Sequence, residues 1–115
     1  MSVPVVDRAT FDALKATTGA EFACELVDTF LQEAPIMLND LRSALASHDV
    51  DKFRRSAHSL KSNSDTFGAF GLGAMARELE HLGASKVMEQ GGQPLAALGD
   101  ELARVAAALK ALCDA

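Results

Sequence analysis

Apolar residues return at alternating steps of three and four along most of this chain, the spacing that keeps one stripe of an α-helix turned to a core. Ala23, Val27, Phe30, Ala34, Met37, Leu41 and Leu45 predict a long helix ending near Ser47. Val50, Phe53, Ala57, Leu60 and Phe67, with small Ser64 in register, predict a second from about Asp49 to Phe67. Leu72, Met75, Leu79 and Leu82 predict a third, with Arg77, Glu78, Glu80 and His81 off its stripe; it stops at Gly83 or runs on to about Met88. Leu95, Leu98, Leu102, Val105, Leu109 and Leu112 form the most regular series and predict the last helix. A short helix over Arg8 to Ala16, with Phe11 and Leu14 on its inner face, precedes them all.

The residues between the stripes punctuate them. Asp7 and Asp49 stand where a side-chain oxygen can cap the free amides of a following helix. Thr18-Gly19-Ala20-Glu21 has the spacing of a capping box, in which hydroxyl and carboxylate bond reciprocally to free amides. Gly68 permits the left-handed residue that ends a helix, and Gln90 to Gln93 form a loop before Pro94, which suits a first helical turn. Pro35 inside the long helix removes a hydrogen bond and costs ~3 kcal/mol. The stripe nevertheless keeps its register from Phe30 to Leu41, so one kinked helix is expected rather than two.

Four long amphipathic helices with short connections imply an all-α fold: an antiparallel up-down-up-down four-helix bundle, with the short N-terminal helix lying across one end as a lid. The 115 residues make one domain, and residues 1–6 read as a frayed tail. Aromatic residues are 5% of the chain with no Trp or Tyr, so the core must be aliphatic and alanine-rich, which suits close-packed helices.

Charge and cysteine content narrow the function. The formal net charge is −5 with no basic cluster, which argues against nucleic acid as a partner. No apolar run approaches the ~20 residues of a membrane span, and no charged start leads into an apolar block as in a secretory signal. Cys24 and Cys113 are far apart and match no metal or redox spacing. Both are expected as buried free thiols, consistent with a reducing cytoplasm.

The chemistry gathers on the Asp49–Phe67 helix. At ~100° per residue, His58 falls on the flank opposite the stripe, among Asp51, Arg54, Arg55, Lys61, Ser62 and Asp65. An exposed histidine is commonly just solvated surface. Here Lys61 stands at i+3, within reach of a negative group on the imidazole, and Ser62 at i+4 leaves room for close approach. Small residues surround the ring where longer helix formers have higher propensity, the mark of a docking site.

His58-Ser59-Leu60-Lys61-Ser62, preceded by Ala57 and followed by Gly68-Ala69, resembles the signature of histidine-containing phosphotransfer (HPt) domains. Their pattern is His-x-Leu-Lys-Gly, followed after several residues by Gly; Ser62 stands where glycine is commoner. The resemblance extends to Phe30-Leu31-Gln32-Glu33-Ala34-Pro35 and to Leu79-Glu80, and covers roughly residues 7–112. It implies the same helical bundle, with His58 as phosphoacceptor and Lys61 offsetting the phosphoryl charge. It also implies a receiver domain docking over the His58 face, with phosphoryl groups passing reversibly between His58 and receiver aspartates. Response regulators, or a hybrid sensor histidine kinase, are then the partners, and a cytoplasmic monomer is expected. Arg54, Arg55, Ser59, Ser62 and Asp65 surround the docking site, with Arg54 and Arg55 steering the carboxylate-rich receiver. Ile36, off its own stripe and near the level of His58 across a hairpin turn at Ser47-His48-Asp49, is a further docking candidate.

The chain has no phosphate-cradling glycine loop and no carboxylate cluster for Mg²⁺, so the metal and acceptor aspartate are expected on the partner. It is expected to lack autonomous kinase or phosphatase activity. Two other readings compete: a helical interaction module in which His58 is incidental, and the phosphoacceptor domain of a chemotaxis-type kinase. The Met start and full last helix favour a free-standing protein over the second. A metal site from His48, His58 and His81 is disfavoured, because no pair has i,i+4 spacing.

Overall fold

The computed structural model describes residues 5–114 and places them in five helices: α1 (Arg8–Thr18), α2 (Ala20–Ser47), α3 (Val50–Thr66), α4 (Phe70–Glu89) and α5 (Gln93–Asp114). Among the described residues there is no strand, and no helix is long and apolar enough to cross a membrane.

Val5 and Val6, the described part of the expected frayed tail, are held against the core, Val6 buried in it and Val5 packed on it. Residues 1–4 of that tail lie outside the described residues. The Asp7 amide donates to the Gly68 carbonyl at 2.8 Å, tying this segment to the turn after α3. Asp7 caps α1 as expected, its carboxylate accepting from the Thr10 amide at 3.1 Å. Phe11 is fully buried, so α1 is pinned across this end of the molecule.

The capping box at Thr18 does not form. Thr18 is the last residue of α1, and its hydroxyl donates to the Leu14 carbonyl at 2.8 Å, as helical threonines commonly do. The cap of α2 is Gly19 (φ 92°, ψ 145°), with no side-chain cap bond. A single glycine thus makes the turn between α1 and α2, because a residue with a Cβ adopts that backbone only under strain.

α2 is one helix through Pro35. Its buried residues are Ala23, Val27, Phe30, Ala34, Leu38, Leu41 and Ala44. Met37 and Leu45, expected on the stripe, are only half-buried, and Leu38 and Ala44 take the inner positions. The two series agree to Ala34, and beyond it the inner positions follow the neighbours that α2 packs on as well as helical phase. His48 closes α2 in the left-handed region (φ 58°), and Asp49 caps α3 by accepting from the Lys52 amide at 3.1 Å.

α3 buries Phe53, Ala57, Leu60 and Ser64. Ser64 is the buried polar residue of the core, and its hydroxyl is satisfied by the Leu60 carbonyl at 2.6 Å. Val50, expected on the stripe, is 54% exposed. Helical side chains lean toward the amino terminus, so the first residue has no preceding turn to lie over. Gly68 ends α3 as predicted. Its amide donates to the Asp65 carbonyl and the Ala69 amide to the Ser64 carbonyl, a Schellman arrangement with Gly68 at φ 82°. A Cβ there would meet the Asp7 carbonyl at 2.8 Å, so the position needs glycine for space as well as for φ.

Both expectations for α4 hold in part. Gly83 breaks the helix (φ 77°, ψ 165°), and the chain resumes helical geometry to Glu89. α5 buries Leu95, Leu98, Leu102, Val105 and Leu109 in the predicted register. The cysteine expectation is overturned: Cys24 and Cys113 form a disulfide, their Cα atoms 5.7 Å apart. The start of α2 and the end of α5 lie side by side, within bridging distance. The inference of a reducing compartment from free thiols therefore lapses.

Candidate functional site

The site is built on the closest helix pair of the molecule. α3 and α4 share the most extensive interhelical contact, and their small residues allow it. A Cβ placed on Gly73 would collide with the Asp65 carboxylate, so glycine there leaves room for that side chain between the helices. Asp65 faces Gly73 near the Gly68 turn, and further along His58 faces Glu80. Both pairs are centred on Ala69, so numbers rise along α3 as they fall along α4. That register sets every cross-helix neighbour of the site.

His58 follows buried Ala57 by one residue, which turns its ring off the core stripe. Its side chain is 59% exposed. Nδ1 lies 3.0 Å from Oε2 of Glu80, whose side chain is only 24% exposed because it follows buried Leu79 on α4. An ionised carboxylate only accepts hydrogen bonds, which assigns the ring proton to Nδ1. Nε2 then carries the lone pair, on the ring nitrogen that the carboxylate does not engage. One acidic residue thus selects the tautomer, restrains the ring and leaves the Nε2 lone pair free.

Lys61, one turn along α3, is half-buried. It lines an open groove of about 550 Å³ between α3 and α4, together with Asp65, Phe70, Arg77, Glu78 and His81. Ser62 is exposed beside His58, and its small side chain leaves the approach clear. On the other flank of α3, Ser59 and Arg55 line a shallower groove with Met37, Asp40 and Lys52. Arg54 and Arg55 are exposed near the start of α3. Arg54 contacts the Asp51 carboxylate at 3.4 Å, and Arg55 donates to the Asp51 carbonyl at 3.3 Å.

Ile36 is 60% exposed on α2. Its neighbour Met37 accepts from the Asn63 amide at 3.9 Å, which puts this part of α2 beside the later turns of α3, past the level of His58. His58 also turns toward α4, and among the described residues no hydrogen bond, ion pair or shared groove joins it to Ile36. His48 is exposed in the α2–α3 turn and His81 on α4. Among the described residues no three His, Cys, Asp or Glu side chains converge to hold a metal.

Glu80, named in the sequence only as off the stripe and within the Leu79-Glu80 resemblance, is the site residue to which sequence reasoning gave no role. The hairpin itself carries the signal, because a turn centred on Ala69 places Glu80 opposite His58.

Comparison with known proteins follows the same line. The family model described as Hpt domain matches residues 25–114. Among solved structures, the chain is similar to the crystal structure of histidine-containing phosphotransfer protein B (HptB) from Pseudomonas aeruginosa PAO1. The two are 26% identical, with 98% of this chain and 97% of that chain covered and a TM-score of 0.89. A comparison with curated proteins finds no match.

Proposed function

The chain belongs to the Hpt domain family, with a phosphotransfer role in two-component signalling, and from that premise we propose that His58 is a relay station between receiver-domain aspartates. The observation that carries this reading is an exposed imidazole held at Nδ1 by Glu80, with Nε2 left as nucleophile. Nε2 attacks the phosphorus of a receiver's aspartyl phosphate. The N–P bond forms as the P–O bond to the aspartate breaks, and the aspartate leaves with the electron pair as a carboxylate. The ring keeps its Nδ1 proton and becomes cationic, and the Glu80 carboxylate beside that proton offsets the charge. The reverse sequence delivers the phosphoryl group to a second receiver.

Lys61 offsets the negative charge that arrives on Nε2. Among the described residues no three acidic or histidine side chains converge, and in this reading the Mg²⁺ ion and the acceptor aspartate belong to the receiver half of the joint site. The receiver docks over the exposed faces of α3 that carry Arg54, Arg55, Ser59 and Ser62, with Asp65 at the groove and Ile36 at the far edge. The scaffold is the antiparallel four-helix bundle of α2 to α5, acting as a monomer in the cytoplasm with its receivers.

The test is incubation with a phosphorylated receiver domain. Acid-labile, alkali-stable label on the wild-type chain and none on His58→Gln is the expected outcome; label that persists in His58→Gln refutes the assignment. Lys61→Ala is expected to slow transfer or shorten the phosphohistidine lifetime with the helical content unchanged. Identical kinetics remove Lys61 from the mechanism.

A further inference from the structure

Phosphorylation of Nε2 creates an electrostatic problem that one lysine does not solve. A phosphoryl group brings about −1.5 to −2 charges to Nε2, while Glu80 is already balanced by the cationic ring it contacts. Lys61 contributes a single positive charge. The α3–α4 register supplies a second cation. His58 with Glu80 and Asp65 with Gly73 are both centred on Ala69, and so are Lys61 and Arg77. Arg77 therefore stands across from Lys61, about 4.5 Å along the axis from the His58–Glu80 level. It also precedes Glu80 by three residues, which puts both on one face of α4.

Lys61 and Arg77 line the same groove, and Arg77 is exposed at its rim. Asp65 and Glu78 line that groove too, yet among the described residues neither cation is engaged in an ion pair. The other arginines nearest the site are committed locally to Asp51. Two uncommitted cations on adjacent helices, one turn from an imidazole nitrogen that will carry a dianion, form a cradle open on the solvent side. Arginine suits it, since its planar fork can hold two phosphoryl oxygens at once.

Resting on the phosphotransfer reading above, the geometry points to Arg77 as the second phosphoryl-binding residue, reaching across from α4 to hold with Lys61 the group carried by His58. The cradle draws the phosphoryl group into the α3–α4 groove and balances the phosphoryl charge that Lys61 alone leaves over. It raises the fraction of phosphoryl groups resident on His58 at equilibrium with a receiver.

The experiment measures that equilibrium for wild type, Arg77→Ala, Arg77→Gln and Arg77→Lys against one phosphorylated receiver, with helical content checked by circular dichroism. Lys86→Ala, which removes a cation elsewhere on α4, is the control. Arg77→Ala and Arg77→Gln are expected to lower the phospho-His58 fraction about threefold to tenfold, with the deficit shrinking at high salt. Arg77→Lys recovers part of the loss, and Lys86→Ala changes nothing. The phosphorus NMR shift of phospho-His58 moves in the Arg77 variants and not in the control. An unchanged equilibrium in folded, labelled Arg77→Ala, while Lys61→Ala lowers it, overturns the Arg77 role and leaves the relay intact. An equal loss in Lys86→Ala overturns it as well, by making the effect one of bulk charge. A wild-type chain that no phosphorylated receiver labels refutes the relay itself.

Discussion

The α3–α4 pair and the seam around α5 are both buried helix contacts, but they are made of different material. α3 and α4 bury small residues, Ala57, Ser64, Gly73 and Ala76, between larger ones such as Leu60 and Leu79, and Gly73 lies against Asp65. α5 presents Leu95, Leu98, Leu102, Val105 and Leu109, and the Cys24–Cys113 disulfide joins its end to the start of α2. Large aliphatic side chains bury more area and so contribute more stability per residue. Small ones contribute less but set distance closely, and a 3.0 Å contact between His58 and Glu80 depends on distance. The lesson is a division of labour: the α5 seam supplies stability, and the α3–α4 pair supplies geometry.

That contrast is open to mutation. The largest loss of stability is expected on the α5 side. Leu98→Ala leaves a cavity in a fully buried position and should cost about 2–5 kcal/mol by denaturant titration. The surviving folded fraction should still take label at His58. Opening the disulfide by Cys113→Ala should follow at about 2–4 kcal/mol, because the bridge closes a long loop, again with transfer rates within a factor of two for folded protein.

The α3–α4 side should respond the other way round. Gly73→Ala forces its new methyl onto Asp65 and should cost about 1–3 kcal/mol. It should also slow phosphotransfer out of proportion to that loss, since it displaces the Asp65 side chain in the groove beside Lys61 and Arg77. Glu80→Ala should scarcely change stability, as a pair whose histidine stands largely in solvent contributes about 0–1 kcal/mol. It should nevertheless slow labelling about tenfold, equivalent to a lost charge-assisted bond of ~1.4 kcal/mol, and nitrogen NMR should show the ring released from a single tautomer. A Leu98→Ala variant that loses transfer chemistry while folded, or a Gly73→Ala variant that transfers normally, would erase the distinction.

Much of this arrangement was legible along the chain, and the misses have physical causes. The caps at Asp7 and Asp49, the stop at Gly68 and the whole α5 stripe came through because each rests on residues within a turn or two of one another. Thr18 misled because the same hydroxyl can cap a following helix or close the preceding one, and the left-handed freedom of Gly19 decided between them. Met37 and Val50 misled because burial near a helix end, or late in a long helix, depends on neighbours as well as on phase.

His58 could be picked out as an exposed reactive ring beside Lys61 from phase alone, since an amphipathic helix dictates which side chains leave the core. What that ring touches could not be read in the same way. Glu80, Arg77 and the Cys24–Cys113 bridge all depend on how separate helices come to rest against one another, over 22 residues of chain for the first and 89 for the last. Local periodicity assigns each helix its inner face and carries no term for the height at which two such faces meet. Close packing at Gly73 and the turn at Gly68 set that height, and with it which nitrogen of His58 is left to react.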